Sequence, residues 1–374
     1  MNKSSDIGMR RQAAHLSLFD NLKNATQRLS PAYFAMVMAT GIVSLAAHGM
    51  GMAGIAAALF WLNTGIYAVL LLLTVLRAVW FGRQMVDDLL DHLRGPGSLT
   101  LVAGTCVLGS QFIVIAGYVP AAAALWIVGL ATWTALTYAV FIALATKANK
   151  PPLEHGLTGT WLLFVVAPQS IAVLSALLAG HGEHRLELNF LALCMWASGG
   201  VLYLWLTGLI FYRLTFFRLN AAELSPSYWI NMGAMAISTL TGALLILNAP
   251  AAPFLQPLLP FLKGVTLLCW AIGTWWIPVL VALGIWRHAY KRVPLRYDPA
   301  YWSIVFPLGM YAASTFQMAR AMALPFLEWI PQAFLYLALG AWLVAFGGLF
   351  LAIARRFRAP ILTTKDDAEN GGLT

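Results

Sequence analysis

The side chains that could take part in chemistry are few, and they lie within long apolar runs. Lys263 and Arg320 are cations toward the same end of two such runs, and no Asp or Glu occupies the centre of any run. Ionisable groups inside a membrane are costly to bury and are usually functional. The lack of central carboxylates argues against a proton relay or a cation site and fits an anion path. Either cation could attract anions at an outer mouth, although extension toward the membrane interface explains each equally well.

A second feature is a helix break within residues 297–321, where Phe306 precedes Pro307 and Gly309. Proline inside a helix removes a backbone hydrogen bond and kinks the helix. In lipid, the carbonyl freed in this way must face protein or a water-filled cavity. We therefore predict a cavity beside the break, with Phe306 as the side chain that plugs it.

Motifs of soluble enzymes are absent, since the chain contains no HExxH, no GxSxG and no Walker A sequence. The three cysteines, Cys106, Cys194 and Cys269, are far apart in apolar runs. This spacing predicts small buried side chains rather than a disulfide framework or a metal site. We therefore predict no enzymatic activity, no metal and no cofactor.

The composition is that of a membrane protein. Of the 374 residues, 60% are hydrophobic and 10% are charged, and the mean hydropathy is +0.76. Soluble domains carry about 25% charged residues. We therefore predict a polytopic protein whose surroundings are a lipid bilayer. The net charge of +9 would suggest nucleic acid as a partner of a soluble protein, but here its distribution indicates loops facing the cytoplasm.

Ten runs approach the roughly 20 apolar residues that span a bilayer. Their approximate bounds are 31–50, 54–81, 98–118, 120–145, 158–179, 187–211, 228–248, 258–286, 299–322 and 332–354. Of the 23 Lys and Arg residues, 20 fall in the termini and in the loops on one side. By the positive-inside rule, both termini are cytoplasmic and the chain lies in the cytoplasmic membrane, with no nucleic-acid partner.

These spans divide the chain into three parts. Residues 1–29 are predicted to be a cytoplasmic arm, either an interfacial helix or disordered, because Leu16, Phe19 and Leu22 recur at helical spacing between basic residues. Residues 30–356 form the ten-helix domain, and residues 357–374 form a polar cytoplasmic tail.

A five-residue pattern opens three of the spans: a capping residue, Pro, a small residue and two aromatic residues. It occurs at 30–34, 225–229 and 298–302. The first two copies are 195 residues apart, the length of three hairpins of 65 residues, which predicts further starts near residues 96 and 161. The pattern indicates five helical hairpins in parallel repeat, although prolines near an aromatic belt could also produce it.

The odd-numbered spans carry small, hydroxyl or helix-breaking residues in their interiors, whereas the even-numbered spans are richer in Leu, Val and Trp. The interior residues predicted to line a path are Met38, Thr40, Gly41, Gly104, Thr105, Pro168, Gly233, Pro307 and Gly309. We therefore predict an inner ring of five odd spans and an outer ring of five even spans that face lipid. The alternative is that the small residues only permit close helix packing.

Two segments resemble a known family. Residues 29–45, LSPAYFAMVMATGIVSL, are similar to the first-helix signature of the tellurite-resistance/dicarboxylate transporters. Residues 300–309, AYWSIVFPLG, resemble the ninth-helix segment of that family. The family includes bacterial tellurite-resistance proteins, fungal malate and sulfite carriers and plant slow-type anion channels. The ten-helix count agrees with it over about residues 29–356.

The resemblance implies an all-α integral membrane protein with ten transmembrane helices, arranged as five hairpins in quasi-fivefold order around a central pore. It also implies a homotrimer, a small anion as substrate and occlusion of the pore by Phe306. It does not choose among C4-dicarboxylates, sulfite, tellurite and inorganic anions. Two alternatives stay open: a proton-linked carrier that exports weak acids, and an intramembrane enzyme or receptor with polar groups converging at depth.

Overall fold

The structure is a computed structural model, which describes residue 20, residues 22–295 and residues 297–358. Most of the predicted N-terminal arm and nearly all of the predicted tail lie outside the described residues. Within the arm, residues 22–27 are helical. Leu16 and Phe19, which belong to the predicted interfacial helix, fall outside the described part of the chain.

The described residues form ten long helices, which match the ten predicted spans in order. They are α1 Ala35–Gly49, α2 Ala53–Leu89, α3 Thr100–Val114, α4 Val119–Thr146, α5 Leu163–Ala179, α6 Arg185–Phe216, α7 Ile230–Asn248, α8 Leu259–Ile285, α9 Trp302–Met322 and α10 Trp329–Arg358. Within the described ranges, nine of them are long and apolar enough to cross a membrane. The exception is α9, which carries more polar residues and packs between α1, α7 and α10. A helix enclosed by protein needs less apolar surface than a helix exposed to lipid.

Each odd helix begins with a short 3₁₀ turn. The turns are Pro31–Phe34, Gly95–Leu99, Gly159–Leu162, Pro226–Trp229 and Pro299–Tyr301. The side chains of Ser30, Thr158, Ser225 and Asp298 each accept a hydrogen bond from the backbone N–H two residues on. This is the N-cap interaction that satisfies an otherwise unpaired donor. The starts predicted near residues 96 and 161 are confirmed by the second and third of these turns.

The odd helices form a closed inner ring. Going around it, α1 contacts α3, α3 contacts α5, α5 contacts α7, α7 contacts α9, and α9 returns to α1. Each even helix packs against the odd helix of its own hairpin and also touches the next odd helix, with α10 touching α1. The predicted quasi-fivefold arrangement of five hairpins is therefore confirmed.

Burial separates the two rings. In the most apolar stretch of α1, α3, α5 and α7, between 72% and 94% of the residues are buried. The corresponding range for the five even helices is 17% to 28%. Large apolar side chains such as Trp61, Val79, Trp205 and Val344 are exposed on the even helices. The outer ring therefore presents the surface that a membrane would cover.

The five 3₁₀ turns form a ring of their own at one end of the molecule, in the same order as the helices that follow them. Their backbones meet closely. A Cβ atom added to Gly159 would lie 2.2 Å from the carbonyl oxygen of Ser227, so only glycine fits there. The hydroxyl of Thr100 donates to the carbonyl of Pro31 at 3.1 Å. The start of each hairpin thus fixes the position of its neighbour.

Candidate functional site

A cavity of about 370 Å³ opens at the C-terminal ends of the odd helices, opposite the ring of turns. We call it the vestibule. All five odd helices line it, with residues Ile42, Leu45, Ala46, His48, Gly49, Ser110, Val114, Val173, Leu177, Leu240, Leu244, Ala313, Phe316, Gln317 and Arg320. Because each helix of the inner ring contributes, the vestibule lies on the axis of the ring.

The polar groups of the vestibule come from four residues. They are His48, Ser110, Gln317 and Arg320, and no carboxylate is among the described residues that line the cavity. Arg320 is exposed, and its guanidinium carbon lies 5.7 Å from the centre of the Phe316 ring. A concave surface with one sign of charge and apolar walls concentrates ions of the opposite sign. The vestibule is therefore suited to anions.

The vestibule ends partway along the helices. Its deepest lining residues on α1 and α9 are Ile42 and Ala313. Met38 and Phe306, four and seven residues further toward the ring of turns, are each 2% exposed. At 1.5 Å per residue, these positions are about 6 and 10 Å deeper. In the described conformation, apolar side chains therefore separate the vestibule from the other end of the axis.

The structure brings three of the predicted site residues together. A Cβ atom added to Gly233 of α7 would lie 2.9 Å from Cγ of Pro307 and 3.3 Å from Cε1 of Phe306. Because Gly233 has no side chain, the helix break of α9 packs directly against α7 at this position. Gly309 lies on the other side of α9, where an added Cβ would meet the side chains of Ile42 and Val43 on α1 at 3.0 and 3.1 Å.

Two further glycines of the predicted set also face neighbouring helices. A Cβ added to Gly41 would lie 2.5 Å from Cγ1 of Val107 on α3. One added to Gly104 would lie 3.3 Å from the carbonyl oxygen of Phe34 and 3.4 Å from the side chain of Val37. These contacts are those of close helix packing, the alternative left open above. Pro168, the remaining break, is buried inside α5.

The two threonines predicted to line the path have partners on the outer ring instead. The hydroxyl oxygen of Thr40 accepts a hydrogen bond from the indole N–H of Trp342 on α10 at 3.0 Å. The hydroxyl of Thr105 is 3.0 Å from that of Tyr67 on α2 and donates to the carbonyl of Leu101 at 2.7 Å. Both hydroxyls therefore connect the rings, because a buried polar group must find a hydrogen-bond partner.

The two predicted outer-mouth cations are separated by the fold. Arg320 lines the vestibule, whereas Lys263 is exposed on α8 of the outer ring and is not part of the lining. The sequence predicts Lys263 as a possible outer-mouth cation together with Arg320, and the structure places it outside the lining of the vestibule. Its side chain faces the surroundings because it belongs to an even helix.

The sequence prediction did not include three polar residues of the vestibule. They are His48, Ser110 and Gln317. Helical spacing offers a signal for one of them, since Ala313, Gln317 and Arg320 follow at intervals of four and three and share a face. His48 and Ser110 have no such signal, because the vestibule is defined only when five helices come together.

No group of three or more His, Cys, Asp or Glu side chains in the described part of the chain is placed to hold a metal ion. Cys106 and Cys269 are buried free cysteines, and Cys194 is an exposed free cysteine on α6. None of them lines the vestibule.

Comparison with known proteins places these features in context. The family described as voltage-dependent anion channel matches residues 28–350. An uncharacterized membrane protein of Mycobacterium tuberculosis is 41% identical over 145 residues, which are 39% of this chain and 73% of that protein. An uncharacterized transporter of Methanocaldococcus jannaschii is 24% identical, with 86% and 94% of the two chains covered. A sulfite efflux pump of Trichophyton rubrum is 24% identical, with 86% and 90% covered.

Proposed function

The chain belongs to the family of voltage-dependent anion channels, and on that premise we propose that it moves small anions across a membrane along the axis of the inner ring. Membership agrees with the resemblance found in residues 29–45 and 300–309. The relatives are named a transporter and a sulfite efflux pump, so the names point to transport and not to an enzyme.

The observation that carries the proposed path is the vestibule. Its lining comes from all five odd helices, includes the exposed cation Arg320 and includes no described carboxylate. An anion within the vestibule meets a positive charge and no carboxylate among the described lining residues. The apolar walls limit how many water molecules accompany the anion, so that Gln317, Ser110 and the arginine would replace part of its hydration shell.

We propose that Phe306 is the gate. It is buried below the vestibule and fills the space left by Gly233 beside the break at Pro307. A bare anion crossing this apolar layer would lose its hydration without compensation, which is energetically prohibitive. Conduction would therefore require the aromatic ring to move aside. The break at Pro307 supplies a point where the helix can flex, since proline removes one backbone hydrogen bond.

The experiment is anion flux into proteoliposomes, measured for the wild type and for Phe306→Ala. We expect a several-fold higher flux in the variant, because alanine leaves the apolar layer incomplete. Phe350→Ala is the matched control, since Phe350 is exposed on α10 of the outer ring. No flux from any of the three proteins over sulfite, C4-dicarboxylates, tellurite and chloride would contradict the transport proposal. Equal flux in Phe306→Ala and the wild type would remove only the gate assignment.

A proton-linked carrier is the second candidate. The described lining of the vestibule has no carboxylate, which limits how a proton could be coupled to transport. Without a carboxylate in the described lining, coupling would depend on His48 as the proton-carrying side chain or on a weak acid that crosses in protonated form. The sulfite efflux pumps among the relatives make sulfite the first substrate to test. Uptake driven by an imposed pH gradient and saturating with sulfite would favour the carrier. Flux that follows the membrane potential alone would favour a channel.

We propose the assembly and location that the resemblance and the charge distribution imply. These are a homotrimer in the cytoplasmic membrane, with both termini on the cytoplasmic side. Residues 30–356 form the transport domain, preceded by an arm of residues 1–29 and followed by a polar tail of residues 357–374. The ring of turns then faces the cytoplasm and the vestibule faces outward.

A further inference from the structure

A groove of about 440 Å³ lies on the outside of the fold, where the 3₁₀ turn before α7, the C-terminal part of α8 and the start of α9 come together. It is at the same end as the ring of turns and is separate from the vestibule. Helix α8 packs mainly on α7 and touches α9 only slightly, so a channel remains open between them. The groove therefore faces the side that lipid would occupy.

The walls of the groove are apolar along α8. Val281 and Ile285 line it and are 44% and 60% exposed, and Ile304 of α9 forms part of the opposite wall. Gly284 lies between Val281 and Ile285 along α8, and a Cβ atom added to it would meet nothing within 4 Å. The space over Gly284 is thus open and suits a flexible hydrocarbon chain.

The end of the groove is basic and polar. Arg287 lines it and donates from one terminal nitrogen to the carbonyl of Leu224, while its buried Nε has no partner among the described residues. Tyr301 and Trp229, which are both half-buried, line the same groove. A buried donor such as Nε of Arg287 is costly to leave without a partner, which indicates that an acceptor belongs beside it.

Further charge follows in the chain directly after Arg287. Lys291 and Arg292 are exposed, and the ammonium group of Lys291 lies over the rings of Trp286 and Tyr290 at 5.7 and 5.4 Å. The acidic side chain close to Tyr301 is Asp298, whose carboxylate already caps the 3₁₀ turn through the N–H of Ala300. The basic groups therefore dominate this end of the groove.

We propose that this groove binds one anionic phospholipid. An acyl chain lies over Gly284 between Val281 and Ile304, and the phosphate accepts hydrogen bonds from Arg287 and attracts Lys291. Basic pockets between transmembrane helices on the cytoplasmic side are suited to anionic head groups. An amphiphile fits better than inorganic phosphate, because most of the groove wall is apolar and open to the membrane. This inference does not depend on the proposed transport path.

The test is native mass spectrometry of the detergent-purified protein with added phosphatidylglycerol or phosphatidylcholine of the same acyl chains. We expect the wild type to retain phosphatidylglycerol preferentially. Gly284→Leu should abolish this retention by filling the groove, whereas Gly264→Leu should not. Gly264 is the matched control because it is also on α8 and also has open space around an added Cβ. Lys291→Gln should weaken the preference by about fivefold, the effect of roughly one surface charge.

Four results would overturn the proposal. One is retention of phosphatidylglycerol by Gly284→Leu at the wild-type level. Another is equal retention of the two lipids by the wild type, which would show a groove without head-group recognition. The third is loss of a subunit, rather than loss of lipid, in Gly284→Leu, which would assign the groove to contact with a second copy of the chain. The fourth is complete displacement of the lipid by free inorganic phosphate at millimolar concentration, which would show that the acyl chain contributes little and would assign the site to phosphate.

Discussion

Of the two predicted outer-mouth cations, Arg320 lines the vestibule, and we expect its effect on anion flux to be electrostatic. We expect Arg320→Gln to reduce anion flux by up to about tenfold at low ionic strength, because the local positive potential concentrates anions. The difference should shrink at high salt, since a Debye length of about 3 Å at 1 M screens an exposed charge. Flux measured in proteoliposomes over a range of salt concentrations checks this.

The matched control for Arg320→Gln is Lys263→Gln, which removes the other predicted outer-mouth cation from its exposed position on α8. We expect wild-type flux from that variant. A loss of equal size in the two variants would show that overall charge, and not the vestibule, determines flux.

At the residue scale, buried amide side chains connect neighbouring helices through hydrogen bonds. Asn63 on α2 donates to the side-chain oxygen of Gln111 on α3 at 2.7 Å, with both residues fully buried. Gln169 on α5 donates to the backbone carbonyl of Trp196 on α6 at 3.0 Å. The first bond joins two successive hairpins and the second joins the two helices of one hairpin, as polar groups do between membrane helices.

At the scale of elements, basic side chains connect successive hairpins. Lys147 donates to the carbonyl of Leu90 at 3.0 Å, Arg213 to that of Glu154 at 2.7 Å, and Arg287 to that of Leu224. In each case a cation at the end of an even helix reaches the loop that precedes its own hairpin. These cations are therefore part of the structure as well as of the charge distribution that sets orientation.

Arg213 offers the sharpest test of these connections, because it also bonds the hydroxyl of Tyr228 and pairs with Glu223 at 3.5 Å. We expect Arg213→Gln to lower the free energy of unfolding by about 1.5 to 3 kcal/mol, the range for hydrogen bonds to charged groups. The midpoint of thermal unfolding in detergent measures this. Arg83→Gln is the control, since Arg83 is exposed near the end of α2. Equal midpoints for the two variants would refute the role of Arg213.

The ring of turns makes a separate prediction at this scale. Gly159→Ala would place a Cβ 2.2 Å from a backbone oxygen of the next turn, which cannot move as a side chain can. We expect a loss of about 1 to 3 kcal/mol in stability, as for overpacked cores. Gly208→Ala on α6 has open space around the added Cβ and should be neutral or slightly stabilising. The midpoints of thermal unfolding of the two variants measure this difference. A wild-type midpoint for Gly159→Ala would contradict close packing of the turns.

At the scale of the whole molecule, the two ends of the bundle differ in charge. We expect a cysteine at position 150, between α4 and α5, to react with a membrane-impermeant maleimide only from the cytoplasmic side. A cysteine at position 183, between α5 and α6, should react only from outside. These variants are Lys150→Cys and Glu183→Cys, and both positions are exposed. Labelling of whole cells and of inverted vesicles provides the readout.

The background for this labelling is the wild type, whose cysteines lie on α3, α6 and α8, with two of them buried. The same side labelled at both positions would contradict the odd number of crossings between them. Labelling at position 150 from outside alone would invert the predicted orientation.

The number of helices, their order, their repeat and the charge asymmetry were all available in the sequence. The physical reason is that each of these properties is local. A membrane helix satisfies its own backbone hydrogen bonds, needs about 20 apolar residues and begins at a cap, so each can be recognised within one segment. The pairing of Phe306 with the proline break is local in the same way.

The partners of each side chain were decided only by the tertiary structure. Thr40 bonds Trp342, which is 302 residues further along the chain, and no local pattern specifies that the last hairpin closes on the first. Lys263 and Arg320 lie at similar depth in their spans, so the sequence could not distinguish them. Only the tertiary structure shows that Arg320 is on the inner ring and Lys263 on the outer ring. The vestibule exists only where five helix ends meet, so its chemistry is a property of the closed ring and not of any one helix.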